Sequence, residues 1–187
     1  PGYLYVSTDG GATWAEKTAA GSRAWQCMAV SPDGTKMLAV ADSSYVYTST
    51  DGGTTWTERT SAGSRTWRGA AISPDGAKMV ASTHLDYIYI STDGGATWAA
   101  KTASGLQEWR QVAMSADGSR IIAVSGNGGT GPVVRSLDGG ATWSAIAALP
   151  NEYWYGGVAM SADGMKVVAA AYYHGLVASS DGGTTWT

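Results

Sequence analysis

The 187-residue chain has no phenylalanine, one cysteine and five prolines. Cys27 has no partner for an intrachain disulfide and sits in no CxxC-type metal or redox pattern. It reads as a small buried hydrophobe. Charged residues make up only 14% of the chain, and the formal net charge is −3. The 12 lysines and arginines are scattered without a run. A nucleic-acid partner is therefore not expected, because neutralising phosphates takes clustered cations. No apolar stretch approaches the roughly 18 residues of a membrane-spanning helix, so no membrane span is expected. His84 and His174 lack the neighbours that metal-ligand spacing requires. No Gly-Lys phosphate loop and no Gly-x-Ser-x-Gly elbow occurs. No metal and no cofactor are expected. No signal peptide is visible, although the chain starts at Pro1 in mid-pattern, which leaves room for a removed leader.

What the chain has in plenty is glycine (26), tryptophan (9) and tyrosine (10). They recur in order. Ser-x-Asp-Gly-Gly-x-Thr-Trp stands at Ser7–Trp14, Ser49–Trp56, Ser91–Trp98, Ser136–Trp143 and Ser179–Trp186, with starts 42, 42, 45 and 43 residues apart. A fixed period in this range marks a stacked or radial repeat. Within each unit, four short apolar runs alternate with turn clusters. Runs rich in Val, Ile, Tyr and Thr and bounded by Gly, Pro and Asp read as strands, here labelled A to D. None has the length or 3.6-residue period of a helix. Strand A enters at Trp25, Trp67, Trp109 and Trp154. The A–B turn carries Asp-Gly at Asp33, Asp75, Asp117 and Asp163, a strong hairpin signal because Gly takes positive φ without a Cβ clash. The C–D turn lies inside the eight-residue signature. Charges on strand D, such as Glu16-Lys17 and Glu58-Arg59, suit an outer edge blunted against pairing.

Four antiparallel strands every 40–45 residues or so is the period of a β-propeller blade. The fold class expected is all-β: a propeller of four-stranded antiparallel blades, about four and a half in this chain. The units are residues 1–24 (a half-blade of strands C and D), 25–66, 67–108, 109–153 and 154–187, the last with strand D cut short. Eighteen strands follow from that division. Closure buries the edges of a propeller, so the chain reads as a fragment of a six- to eight-bladed parent, or as an open half-propeller that self-associates.

The signature resembles the Asp-box, or BNR repeat, of sialidases, sortilin-type receptors, some xyloglucan-degrading enzymes and the photosystem II assembly factors. The resemblance covers the whole chain and does not choose among those families. The residues themselves read as structural chemistry. Asp9, Asp51, Asp93, Asp138 and Asp181 can accept hydrogen bonds from their own turns. Trp14, Trp56, Trp98, Trp143 and Trp186 can lay an apolar face between blades. One carboxylate per loop is too few for calcium. The resemblance also implies a geography, with Asp-box hairpins on the face away from a ligand and the B–C and D–A loops on the ligand face. Those loops vary most among the units, and variable loops on a rigid scaffold carry function.

Sialidase chemistry would need a unique arginine triad. Arg23 with Arg65, and Arg68 with Arg110, instead occupy equivalent repeat positions. Asp42, Asp86, Glu108 and Glu152 offer no favoured carboxylate pair. The chain is therefore expected not to be an enzyme. The function expected is a binding or scaffolding module with a protein partner or further propeller blades. The alternatives are a carbohydrate-binding module and a glycoside-hydrolase fragment. A sugar would meet the aromatic cluster of Tyr153, Trp154, Tyr172 and Tyr173, with Asn151, Glu152 and His174 as polar groups. The competing reading of the strand-A tryptophans is inter-blade core. Abundant Ser, Thr, Gly and aromatics, low Lys, and the habit of the resembled families suggest an extracellular or periplasmic bacterial protein.

Overall fold

The computed structural model describes residues 1–126, 131–149, 153–154, 157–172 and 175–187. It is an all-β partial propeller of five antiparallel sheets. The half-blade pairs β1 (Leu4–Val6) with β2 (Ala15–Lys17). Blade I runs β3 (Trp25–Val30), β4 (Met37–Ala41), β5 (Val46–Ser49) and β6 (Thr57–Arg59). Blade II repeats it as β7 (Trp67–Ile72), β8 (Met79–Thr83), β9 (Ile88–Ser91) and β10 (Ala99–Lys101). Blade III is β11 (Trp109–Met114), β12 (Ile121–Ser125), β13 (Val133–Ser136) and β14 (Ser144–Ala145). Blade IV holds β15 (Gly157–Met160), β16 (Val167–Ala171) and β17 (Gly175–Ser179). Its strand D is not formed as a strand: only Thr187 exchanges both backbone bonds with Ala178. Seventeen strands therefore stand among the described residues, one short of the expected eighteen.

Each sheet is a meander, and the first strands β3, β7, β11 and β15 lie against one another, which puts strand A innermost and strand D outermost. Strand B is buried along its whole length in blades I to III. The reason is that both faces of a blade meet a neighbour, so strict alternation gives way to continuous apolar runs. Leu38, Val40 and Val46 of blade I pack on Trp67, Ala70, Met79 and Ala81 of blade II. Val80 and Ile88 of blade II pack on Trp109, Val112, Ile121 and Ala123 of blade III in the same pattern. Between strand D and the next strand A the chain makes a single 3-10 turn, at Thr18–Ala20, Thr60–Ala62 and Thr102–Ser104. These turns are too short to leave a periodic trace in the sequence.

A β-bulge opens strand A of each of blades I to III, between Trp25 and Cys27, Trp67 and Gly69, and Trp109 and Gln111. At the axis the Gln111 side chain lies over Gly69 and meets the Cys27 thiol at 3.7 Å, two blades away. Gly69 is needed there: an added Cβ would sit 2.4 Å from Gln111 Oε1 and 2.9 Å from Gln111 Cα.

Candidate functional site

The meander puts the A–B turns and Asp-box hairpins at one end of the blades and the B–C and D–A loops at the other. In blade I, Gly52 of the Asp-box donates to Thr35 of the A–B turn at 3.0 Å, and blades II to IV repeat the bond. The Asp-box end is saturated by its own hydrogen bonds. Asp51 accepts from Ser49 Oγ at 2.8 Å, Thr55 N at 2.9 Å and Thr55 Oγ1 at 2.6 Å. Trp56 Nε1 donates to Gly53 O at 3.1 Å. Asp9, Asp93, Asp138 and Asp181 accept the same set from their own Ser and Thr. These bonds stabilise the charged form. The threonine hydroxyl foremost, then its amide and the serine, holds Asp51 and Asp93 at about 2 and the other three lower still. Trp56, Trp98, Trp143 and Trp186 pack at the rims of the inter-blade cores, whereas Trp14 is exposed. Neighbouring blades are latched on this end by Lys78 Nζ, which donates to Gly118 O at 2.6 Å.

The opposite end carries the chemistry that varies. Its outer arc starts from backbone bridges, Gly2↔Arg23, Ser44↔Arg65 and Asp86↔Gln107, which tie the first three B–C loops to the D–A segments that follow. Arg65 is held four ways. Its Nε donates to Ala62 O at 3.0 Å, its Nη1 meets Asp86 Oδ2 at 2.9 Å, and its guanidinium lies 4.5 Å over the Tyr89 ring, while its backbone forms the bridge. Arg23 repeats this over Tyr47 at 4.5 Å, with Glu58 at 3.7 Å. The Tyr47 hydroxyl donates to Glu58 and the Tyr89 hydroxyl to Asp86 at 3.0 Å. Burial foremost, then the accepting carboxylate, pushes the Tyr89 phenol up to about 12. Sequence reasoning named these arginines and missed their rings. The signal was there: Arg23 to Tyr47 and Arg65 to Tyr89 share one spacing of 24 residues.

The inner arc is made by the bulges. Gln26, Arg68 and Arg110 are the extra residues of the three bulges, and bulges re-aim side chains. Arg68 Nη1 meets Asp42 Oδ2 at 3.4 Å, and its buried Nε has no acceptor among the described residues. Arg110 Nε donates to Gly126 O at 3.3 Å. Further out, His84 Nε2 stands 3.9 Å from Glu108 Oε1. Of the candidate acids, the three among the described residues each face a base: Asp42 with Arg68, Asp86 with Arg65, Glu108 with His84; Glu152 lies outside them.

For the aromatic cluster, Tyr172 is 69% exposed, and its ring stands 6.2 Å from that of half-buried Tyr153. Trp154 corrects the expectation. It is 1% exposed in the core between blades III and IV, so its indole offers no stacking surface; Trp67 and Trp109 are buried in the same way. Asn151, Glu152, Tyr173 and His174 lie outside the described residues. Among the described residues no group of His, Cys, Asp and Glu could hold a metal ion, and no helix is long and apolar enough to cross a membrane.

A family model described as photosynthesis system II assembly factor YCF48 matches residues 2–131. No curated protein matches the chain. Among solved structures, the GH74 enzyme of Niastella koreensis is 22% identical with a TM-score of 0.71, over 99% of this chain and 30% of its own. An ancestral GH74 enzyme is 21% identical with a TM-score of 0.71, over 88% of this chain and 24% of its own. The chain thus spans no more than about a third of either enzyme's length. YCF48 bound to D1 peptide is 13% identical with a TM-score of 0.57, over 88% of this chain and 82% of its own. At these identities the solved structures speak for the fold alone.

Proposed function

The chain belongs to the photosynthesis system II assembly factor YCF48 family, and from that premise we propose that it is a non-catalytic binding module whose B–C/D–A loop end holds a segment of another protein. The observation that carries this reading is the pre-set arginine array. Arg65 is fixed by Ala62, Asp86 and the Tyr89 ring before any partner arrives. A donor already ordered costs little entropy on binding. A solved YCF48 structure has a bound peptide, which favours a peptide as the kind of partner. The carboxylates beside these arginines are each committed to a base, which suits recognition better than acid–base hydrolysis.

The test is to pan a random peptide library against the immobilised chain and measure the enriched peptides by fluorescence anisotropy. Binding should weaken at least tenfold in the double variant Arg65→Gln with Arg68→Gln, measured at a temperature where circular dichroism shows the variant folded. Failure to enrich any peptide, or equal binding by the double variant, would sink the reading.

A second reading, a sugar site, rests on exposed Tyr172 beside Tyr153. A glycan array with Tyr172→Ala separates it from the first. An extracellular or periplasmic location and self-association accompany the proposal as expectations of the same kind.

A further inference from the structure

Repeats allow the chain to be compared with itself. Leu85 and Leu106 are 65% and 61% exposed on the loop end between blades II and III. They immediately precede Asp86 and Gln107, which pair as an antiparallel bridge. Lying one residue before each end of the same bridge, the two leucines flank it on the loop end. One blade earlier, the bridge Ser44↔Arg65 is preceded by Ser43 and Ser64, both exposed and both small and polar. The backbone is the same in both places: Ser43 has φ 52° and Leu85 has φ 58°. A bulky residue in the left-handed region is an outlier. Serine serves at this turn one blade earlier, yet this one loop carries a leucine there and a second leucine across the bridge. A lone exposed leucine would call for no explanation. Two beside one bridge, one against its backbone preference, do.

The flanking charges say what kind of group fits. Arg65 pairs with Asp86 at 2.9 Å on one side, and His84 faces Glu108 at 3.9 Å on the other. Each acid there has its base, so a charged group gains little at the leucines and an uncharged one loses nothing. We propose that Leu85 and Leu106 are the apolar anchor of the loop end, taking one large aliphatic or aromatic side chain from an extended, locally uncharged stretch of a protein partner. This rests on the peptide-binding reading and adds to it where the partner's hydrophobic residue lands. Among the described residues the other two bridges are preceded by Ser43 with Ser64 and by Pro1 with Ser22, neither a pair of large apolar side chains, so the anchor places the partner across blades II and III.

The experiment uses peptides selected on the unaltered chain and measured by fluorescence anisotropy against Leu85→Ser, Leu106→Ser and, as a control at the Asp-box end, Leu137→Ser. Serine is chosen because Ser43 already holds this backbone shape. The expected result has four parts. The enriched peptides share one aliphatic or aromatic position. Each loop substitution weakens binding about tenfold, the loss that goes with uncovering a buried leucine contact. Leu137→Ser changes nothing, and replacing the shared peptide residue by Ala removes the difference between the variants. Peptides that bind both loop variants as tightly as the original chain overturn the anchor while leaving the peptide-binding reading standing. Failure to enrich any peptide overturns both.

Discussion

Replacing Gly69 by alanine is expected to loosen the axis of the propeller. The new Cβ would lie 2.4 Å from Gln111 Oε1, 2.7 Å from Ser82 Oγ and 2.9 Å from Gln111 Cα. The amide oxygen can swing away. The Ser82 hydroxyl is less free, because Gly69 N donates to it at 2.9 Å. The Gln111 Cα is backbone and moves only if β7 and β11 separate. Overpacking of this kind costs about 1–3 kcal/mol. Alanine's smaller loss of chain entropy returns about 0.5–1 kcal/mol. The balance is a loss of about 1–2 kcal/mol, or a melting temperature lower by about 2–8 °C at this size. Thermal and urea denaturation measure it. Gly2→Ala is the control, since a Cβ there meets nothing within 4 Å. Adding Gln111→Ala removes the closest contact but not the Cα, so it should restore only part of the loss, a coupling of about 0.5–1 kcal/mol. A Gly69→Ala chain as stable as its parent, or one indifferent to Gln111→Ala, would refute the close approach at the axis.

Three more outcomes are expected. Asp51 and Asp93 sit near 2 in the fold against about 3.9 when unfolded. Their contribution is therefore complete above roughly pH 4 and disappears as pH falls through about 2; a melting temperature flat from pH 7 to 5 and falling steeply below 4 is the signature, and a decline centred on pH 6 would contradict it. Leu85→Asn should raise stability by about 1 kcal/mol in urea denaturation, because asparagine tolerates the left-handed region; a fall would mean the leucine packs. Leu176 is 73% exposed, whereas Val46, Ile88 and Val133 at the equivalent position are at most 2% exposed. Sedimentation velocity should show concentration-dependent association that Leu176→Gln reduces, and a clean monomer at high concentration would count against a sticky blade face.

The parts of the molecule that could be read from sequence are those whose cause is local. Ser49, Asp51, Gly53 and Thr55 satisfy one another within seven residues, so the hairpin announces itself in the order of letters. The four-strand period followed from the same turns. The bulges were not legible. Gln26, Arg68 and Arg110 look like ordinary strand residues, and only pairing with strand B, more than ten residues away, displaces them. The arginine–tyrosine stacks were half legible, since each partner is conspicuous while their meeting depends on how one loop lies against the next blade. Trp154 shows the limit from the other side. An aromatic residue at a strand entry is compatible with a ligand shelf or a core wedge, and only the presence of blade III against it decides.

The inter-blade faces have a further consequence, for how such a chain can change over generations. Blade I meets blade II through Leu38, Val46 and Met79, and blade II meets blade III through Val80, Ile88 and Ile121. Each blade therefore shows its successor the surface its predecessor showed it. A duplication or deletion of 42 residues, the distance from Trp25 to Trp67, leaves every new junction already complementary. Such a chain can therefore gain or lose whole blades without rebuilding the surfaces between them. Loop residues such as Leu85 lie outside these junctions and drift independently, which lets copies made for structural reasons acquire different partners later.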